Sequence, residues 1–239
     1  MSKPYLPNLK SWPVITLEAD SKGGYIIAVD SGGTPSTTDE SLWDGDIPWL
    51  TPKEITQNIN TIIVSTTERC ISAAGLAQSA AKLFPPGTVM LTKRAPVGAV
   101  SVNAVPMCTN QGFLNFQCGE KLRPLYLAYW LKINTTYLQQ VANGSTYREL
   151  YKSDLFEFEV AVPSVAEQDA ILAVITSLQY VEFLGIPLEQ SAPSIESVLS
   201  IQNHNRRLHS QCSEIIAKLL SGAIDLKKLH GLTKEVLNA

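Results

Sequence analysis

Ile47-Pro48-Trp49-Leu50 is followed directly by Thr51-Pro52-Lys53-Glu54, and the second tetrapeptide has the pattern of a helix start. Thr51 suits the N-cap, proline follows at the first helical position, and Glu54 comes three residues after the cap, which together form a capping box. A helix start directs backbone N–H groups and a partial positive charge outward, and both favour an anion. The stretch therefore predicts a helix from residue 52, whose start is either purely structural or also contacts a phosphate group.

Apolar runs on both sides of this helix start predict short strands, at residues 14–17, 25–29, 88–92 and 97–101. The loop 31–38 follows the second run and is rich in glycine, serine, threonine and proline, the residues that form turns. Lys93 and Arg94 lie in the connection between the third and fourth runs.

A helix is predicted over residues 124–142, because Pro124 suits its first position and Gly144 stands just beyond its end. Apolar residues then alternate with polar ones over 156–162, which indicates a strand with one face in water.

Two helices are predicted after Pro163, which ends that strand. Ser164 and Glu167 form a capping box at the start of the first helix. A segment with glycine and proline, residues 185–193, separates it from the second helix, which is predicted over 194–221.

Residues of these two helices recur largely at the spacing that pairs one helix with another. The positions concerned are Ile171, Leu178, Val198, Ile201, Asn205, Leu208, Ile215 and Leu219. Such a stripe packs either against its own domain or against a partner helix, in which case Asn205 would set the register. The predicted fold is an α+β domain over 1–163, a long helical, coiled-coil-like region over 164–230 and a tail over 231–239.

Charge is distributed unevenly along the chain, although the formal net charge is only −3. Residues 18–68 hold nine acidic groups against two lysines, whereas residues 69–152 hold nine basic groups against two glutamates. The basic block is either an ordinary solvated surface or, if it folds onto one face, a surface suited to the phosphate backbone of nucleic acid.

Several catalytic classes lack their motifs. The sequence contains no glycine-rich nucleotide loop, no Cys-x-x-Cys pair and no paired histidine ligands, so neither a bound nucleotide nor a structural metal is expected. Asp225-Leu226-Lys227 has nuclease-like spacing, but we interpret it as a chance match in a short tail. No apolar run reaches the length of a membrane span and no secretory leader begins the chain, so a cytoplasmic protein is expected.

Ordered motifs across residues 12–168 resemble one known family. They are Gly32-Gly33-Thr34-Pro35-Ser36, Ile47 to Ile55, Ile71-Ser72 with Gly75-Leu76, Pro86-Gly87-Thr88-Val89, Lys93-Arg94, Thr109 to Phe113, Gly144-Ser145-Thr146, and Pro163 with Glu167-Gln168. This order resembles a target recognition domain of a type I restriction–modification specificity (S) subunit, followed by the connecting helical region of that family. Typical members have two of each part, so the chain resembles a half-size form.

The resemblance implies a non-catalytic protein that binds double-stranded DNA and directs partner subunits to a split target. Methyltransferase (M) subunits would methylate adenine N6 with S-adenosylmethionine, and restriction (R) subunits would use ATP with Mg²⁺. This chain itself would bind no cofactor. It would pair with a second copy or with another half-size S subunit.

The DNA contacts implied lie in loops and in the basic block. They are Thr34, Ser36, Lys53, Lys93, Arg94, Asn110, Gln111, Ser145, Thr146 and Arg148. Basic side chains would bind phosphates, and asparagine, glutamine, arginine or lysine would read base edges. Structural alternatives remain open: Thr34, Ser36, Ser145 and Thr146 would cap turns, and Asn110-Gln111 would form a purely structural loop. Trp43 and Trp49 are interpreted as core residues.

Other functional hypotheses remain open. The segment 185–193 departs from the straight helix of the family, which suits a stand-alone or accessory DNA-binding module of another phage-defence system. A small nuclease would have to use Asp225-Leu226-Lys227, and an interaction scaffold would bind an acidic protein through the basic block.

Overall fold

The computed structural model describes residues 10–20, 24–57, 62–142, 149–184 and 214–224. Contacts between Cα atoms divide the chain into two units, with Pro13–Val165 in the first and Leu6–Trp12 and Ala166–Ala239 in the second. The strands lie in the first unit, which is therefore α+β. None of the helices in the described ranges combines the length and apolar character that crossing a bilayer requires.

The first unit alternates short strands with short helices. Its strands are β1 (Val14–Thr16), β2 (Ile26–Asp30), β3 (Trp43–Leu50), β4 (Ile63–Val64), β5 (Cys70–Ile71), β6 (Val89–Thr92), β7 (Val100–Asn103), β8 (Cys108–Thr109), β9 (Phe113–Cys118) and β10 (Glu159–Ala161). Its helices are α1 (Pro52–Gln57), α2 (Ala73–Ala77), α3 (Pro124–Ile133) and α4 (Thr135–Val141), with 3₁₀ turns at Glu40–Leu42 and Lys152–Glu157. Helix α5 (Val165–Leu184) begins at the boundary and continues into the second unit.

A five-stranded sheet forms the centre of the first unit, in the order β2-β9-β6-β7-β4. Its strand pairs are antiparallel except β4 with β7. Every residue of β6 and β7 is buried, as is usual for strands covered on both faces. Met90 of β6 packs with Leu50, Ile55 and Phe113 in one apolar cluster, and α3 also packs against β6 and β7.

A three-stranded sheet in the order β5-β3-β8 carries a second apolar cluster. Trp43 and Trp49 of β3 meet edge to face there, with ring centroids 5.0 Å apart, and pack with Ile71 and Cys108. Both tryptophans are buried, so their interpretation as core residues is confirmed. A separate two-stranded pair joins β1 to β10.

The four apolar runs predicted to be strands correspond to β1, β2, β6 and β7. Strand β7 starts later than predicted because the hairpin loop before it extends to Ala99. Thr92 fixes that loop: its hydroxyl donates to the carbonyl of Pro96 and accepts from the Ala99 N–H at 2.9 Å. Gly98 takes a φ of 96°, which favours glycine.

The prediction of one continuous helix over 124–142 is wrong in one respect, because the segment is divided at Asn134 into α3 and α4. The Asn134 side-chain amide donates to the Trp130 carbonyl at 2.8 Å, and the Thr135 hydroxyl donates to the Lys132 carbonyl at 2.8 Å. These local side-chain bonds compete with the regular helical pattern.

The strand predicted over 156–162 is shorter than expected. The 3₁₀ turn Lys152–Glu157 occupies its first positions, and β10 begins only at Glu159. Asp154 stabilises the turn by accepting a hydrogen bond from the Tyr151 N–H at 2.7 Å.

Apart from residues 10–12 and 221–224, the described part of the second unit is helical. Helix α5 begins at Val165, as its capping sequence predicts, and residues 214–220 are also helical. That segment ends in a Schellman arrangement: Gly222 has a φ of 73°, its N–H donates to Leu219, and the Ala223 N–H donates to Lys218.

The positions predicted for helix pairing are only partly described. Ile171 and Leu219 are buried within this one chain and Ile215 is half-buried, which is what packing on its own domain requires. Leu178 lies in α5, and its side chain is outside the description. Val198, Ile201, Asn205 and Leu208 lie outside the described residues, as do the segment 185–193 and Asp225-Leu226-Lys227.

Candidate nucleic-acid interface

The loop after β2 is held closely against β3 and β8. The Gly33 N–H donates to the Thr109 carbonyl at 3.0 Å, and its own carbonyl accepts from the Trp49 indole N–H at 2.9 Å. At Gly32, a Cβ would come within 2.0 Å of the Thr109 carbonyl oxygen, so only glycine fits there without a backbone shift. The two glycines therefore give this loop a defined course.

Thr34 and Gln111 are brought together although they are distant in sequence. The Thr34 hydroxyl donates to Gln111 Oε1 at 2.5 Å. The neighbouring Asn110 side chain accepts from the Gly112 N–H at 2.8 Å, and its backbone N–H donates to the Leu50 carbonyl. Thus Asn110 has the structural role that the sequence left open, whereas Gln111 is exposed beside the loop.

Ser36 is exposed at the end of the same loop. Its hydroxyl lies 2.9 Å from that of Thr38, and its carbonyl accepts from the Trp43 indole N–H at 2.8 Å. The loop is therefore attached to both core tryptophans, through Gly33 and through Ser36.

The helix start at Thr51 differs from the predicted capping box. Glu54 does accept from the Thr51 N–H at 2.8 Å, but the Thr51 hydroxyl donates to the same carboxylate at 2.7 Å. The other carboxylate oxygen of Glu54 accepts from the Glu68 N–H at 2.7 Å, and the Glu54 side chain is buried. Helix α1 has six residues and begins beside this carboxylate, so the structural role of its start is confirmed, and a phosphate contact there stays a prediction. Lys53 itself is exposed and lies 3.9 Å from a Glu68 carboxylate oxygen.

Lys93 and Arg94 share one carboxylate, that of Glu149. The Lys93 ammonium lies 3.2 Å from Glu149 Oε1, and Arg94 Nε lies 3.1 Å from Oε2. Burial alone would raise the pKa of Glu149, but hydrogen bonds and charge from Arg94 and Lys93 hold it below its ordinary value. The Lys93 side chain is only 14% exposed and the Arg94 side chain 53%, so Arg94 is the better placed to meet a ligand.

Asp30 forms a second shared site with Lys82 and Lys152. Their ammonium groups lie 2.9 Å and 3.5 Å from Asp30 Oδ1. The hydrogen bond from Lys82 is the largest influence on the pKa of Asp30 and lowers it, against a smaller effect of burial. Both lysines remain about half exposed.

Strand register places both ion-pair clusters at the same end of the five-stranded sheet. Asp30, at the end of β2, pairs with Asn115, and Thr92, at the end of β6, pairs with Phe113, the first residue of β9. Residues 149–152 contribute one member to each cluster. The loop 31–36 follows β2 and the turn 110–112 precedes β9, so both border the clusters. We call the surface formed by the two clusters, this loop and this turn the basic end; its clusters consist of Asp30, Lys82, Lys93, Arg94, Glu149 and Lys152.

Among the described residues, the two ion-pair clusters of the basic end contain four cations against two carboxylates, a surplus of two positive charges. The whole basic block does not gather there, however. Lys121 lies beside Gly24 and Tyr25, where β2 starts, and is therefore at the opposite end of the sheet. Ser145, Thr146 and Arg148 lie outside the described residues.

Five residues at or near this surface were not among the predicted contacts: Asp30, Arg69, Lys82, Glu149 and Lys152. Sequence spacing could not identify the two acids as ion-pair partners, because Asp30 and Lys82 are brought together only by the fold. Arg69 belonged to the basic block and had no further signal.

Two of the described cysteines are poor nucleophiles, and the described residues form no metal cluster. Burial raises the pKa of Cys108 to about 11 and that of Cys118 to about 12, so both remain protonated near neutral pH. Within the described ranges, no three histidine, cysteine or acidic side chains are grouped so that they could hold a metal ion.

Curated relatives of the chain are specificity subunits. The MjaIX specificity subunit of Methanocaldococcus jannaschii is 41% identical over 150 residues, which cover 62% of this chain and 34% of that protein. The HindI specificity subunit of Haemophilus influenzae is 25% identical over 211 residues, which cover 87% of this chain and 41% of that protein.

Solved structures with the same fold include the HsdS subunit of Thermoanaerobacter tengcongensis. Its TM-score is 0.56 at 19% identity, over 92% of this chain and 48% of that one. A chain from a study of complex assembly and conformational transition of the type I R-M system gives the same TM-score and identity, over 92% of this chain and 49% of that one.

The likeness to these structures supports the α+β fold alone. The chain spans between about a third and a half of the length of these relatives. Residues 21–184 match the family model of the type I restriction modification DNA specificity domain. Because this match covers more than half of the sequence, the chain belongs to that family.

Proposed function

We propose that this chain recognises a DNA sequence as part of the specificity subunit of a type I restriction–modification system. The observation that carries the proposal is the basic end, where four described cations and the Thr34–Gln111 pair lie at one end of the five-stranded sheet. Family membership gives this surface its ligand, and the local surplus of positive charge suits a phosphate backbone.

Recognition divides into positioning and base reading. Exposed cations such as Lys82, Arg94 and Lys152 bind phosphates, whereas the largely covered Lys93 holds Glu149 in place. Gln111 is exposed, and Thr34 orients its amide, so Gln111 is the described side chain best suited to a base edge. Ser145, Thr146 and Arg148, which follow α4 in sequence, belong to the same proposal.

The partners follow from the family assignment. A methyltransferase (M) subunit with S-adenosylmethionine modifies adenine N6, and a restriction (R) subunit supplies ATP-driven cleavage. This chain has neither activity and binds neither cofactor. The region over 164–230, which the sequence predicts to be helical, joins it to a second copy, to another half-size S subunit or to the M subunit, and the complex works in the cytoplasm, where DNA is accessible.

A band-shift assay tests DNA binding directly. The purified chain is titrated into a random-sequence duplex at about 50 mM and about 200 mM salt, a range over which phosphate contacts weaken strongly. We expect a complex at the lower salt concentration that weakens at the higher. Repeated selection of bound duplexes should then enrich one half-site. The absence of any complex at low salt would contradict the proposal.

Association is tested in two further ways. Co-purification with a methyltransferase encoded beside the gene is expected, and methylome sequencing of cells with both proteins should show one adenine-methylated motif. Methylation that is unchanged without this chain would favour the stand-alone module instead. Sedimentation of the isolated chain decides pairing, since a strict monomer at high concentration excludes the homodimer.

A further inference from the structure

Arg69 is held flat against a buried tryptophan beside the candidate interface. Its guanidinium carbon lies 3.6 Å from the centroid of the Trp43 ring and 5.7 Å from that of Trp49. Arg69 is nevertheless exposed to solvent. A guanidinium stacked in this way keeps a fixed position, because the aromatic face attracts the cation.

Arg69 differs from the cations of the basic end, because no described carboxylate neutralises its charge. Among the described residues, no carboxylate lies within ion-pair distance of its guanidinium, whereas Lys53, Lys82, Lys93, Arg94 and Lys152 each have one. A guanidinium carbon 3.6 Å from a ring centroid is at stacking distance, and stacking occupies the face of the guanidinium and leaves the N–H donors at its edge available. Two of these donors match the oxygens of a phosphate group.

Arg69 also lies close to the loop of the basic end. Its carbonyl accepts from the Trp49 N–H at 3.0 Å. The ring over which it stacks donates to the Ser36 carbonyl, and Trp49 donates to that of Gly33. The same two tryptophans therefore position the loop and the guanidinium.

We infer that Arg69 binds a DNA backbone phosphate and extends the basic end along the duplex; the inference rests on the proposed function. A side chain stacked on its own domain has little reach, and base edges lie deep in the major groove. A phosphate at the surface is the accessible group. Trp43 is then a positioning residue, which prepares the contact before DNA arrives.

The test compares three variants by fluorescence anisotropy with a random-sequence duplex and with the selected half-site. R69A should weaken binding to both duplexes by about tenfold and lower the salt slope by about one. R69K keeps the charge but loses the planar pair of donors, so its affinity should fall between those of R69A and the wild type. K121A removes one charge at the opposite end of the sheet and should change affinity less than about twofold.

Each outcome has a definite meaning. Equal losses for R69A and K121A would overturn the inference, because only total charge would then matter. A loss confined to the selected half-site would also overturn it, since that indicates a base contact. If the wild type fails to bind either duplex, the proposed function itself falls. Thermal melting of R69A and R69K ensures that folded proteins are compared.

Discussion

Glu149 is one of the two carboxylates that balance the charge of the candidate interface. Its carboxylate lies between Lys93 and Arg94 and is only 16% exposed. The acid fixes the direction of two cations, but it also competes with any phosphate for them. Glu149 therefore limits the affinity for DNA while it holds the side chains of Lys93 and Arg94 in position.

E149Q should therefore bind DNA more tightly than the wild type. The amide keeps the size of the side chain and an oxygen acceptor, but it releases the charge of both cations, so we expect a three- to tenfold gain at about 50 mM salt and a smaller gain at about 200 mM. Anisotropy titrations on a random-sequence duplex measure it.

E18Q provides the matched control, because Glu18 is exposed and accepts a hydrogen bond from the Thr16 hydroxyl without an ion pair to a described cation. A weaker complex for E149Q than for E18Q would mean that Glu149 supports binding rather than restrains it.

The two shared carboxylates also make stability depend on pH. The folded-state pKa values of Asp30 and Glu149 both lie below their ordinary values, so the folded protein binds fewer protons than the unfolded chain. Their stabilisation is complete above about pH 4 to 5, the range of unperturbed carboxyls, and is lost as pH falls through the lowered values.

Denaturant unfolding at several pH values checks this linkage. The free energy of unfolding should fall on acidification, and the fall should be shallower in a D30N/E149Q double variant than in the wild type. Identical slopes for the two proteins would contradict this role of the carboxylates.

For individual residues, the sequence predicted which side chains lie at the candidate interface better than it predicted their contacts with one another. The motifs identified Thr34 and Gln111 separately, yet nothing in the sequence indicated that the two would be hydrogen-bonded. Likewise, Lys93 and Arg94 were predicted as contacts, but the carboxylate that covers much of Lys93 comes from a residue more than 50 positions later. Contacts across such distances depend on strand register, which local patterns do not define.

Among the elements, the start of α1 depends most on one side chain. Glu54 is buried and accepts from the Thr51 N–H, the Thr51 hydroxyl and the Glu68 N–H. E54A should lower the free energy of unfolding by about 2 kcal/mol, because two backbone donors lose their acceptor. Urea unfolding measures this, with E40Q as an exposed acidic control. If E54A is as stable as E40Q, the carboxylate does not hold this connection together.

Elements with strong local signals were predicted correctly, and elements decided by tertiary contacts were not. Pro52 predicted the start of α1, and the apolar runs predicted the bounds of β2 and β6 to within one residue. The break at Asn134 depends partly on Thr135, whose hydroxyl is 3.2 Å from the carbonyl of Gly98 in the hairpin between β6 and β7. That contact joins residues 37 positions apart, so a helical pattern over 124–142 could not reveal it.

For the whole molecule, a block of charge in sequence is only partly a surface in space. The basic block over 69–152 includes Lys82, Lys93, Arg94 and Lys152, which converge, and Lys121, which lies at the other end of β2. Five residues of an extended strand separate these ends by roughly 15 Å. The direction of each strand thus decides which cations act together, and a net charge of −3 says little about the local field.

The number of cations at the interface sets the salt dependence of DNA binding. Among the described residues, the exposed cations at or beside the basic end are Lys53, Arg69, Lys82, Arg94 and Lys152. Each phosphate contact contributes about 0.9 to the slope of log K against log salt. Five contacts would give a slope of about −4.5, and because nearby carboxylates retain part of the charge, we expect a slope between about −3 and −4.5 for the wild type. Anisotropy titrations at four salt concentrations between about 50 and 200 mM give this value. A slope near −1 would mean that most of these cations never meet a phosphate, whereas one steeper than about −8 would require a larger basic surface than the described residues provide.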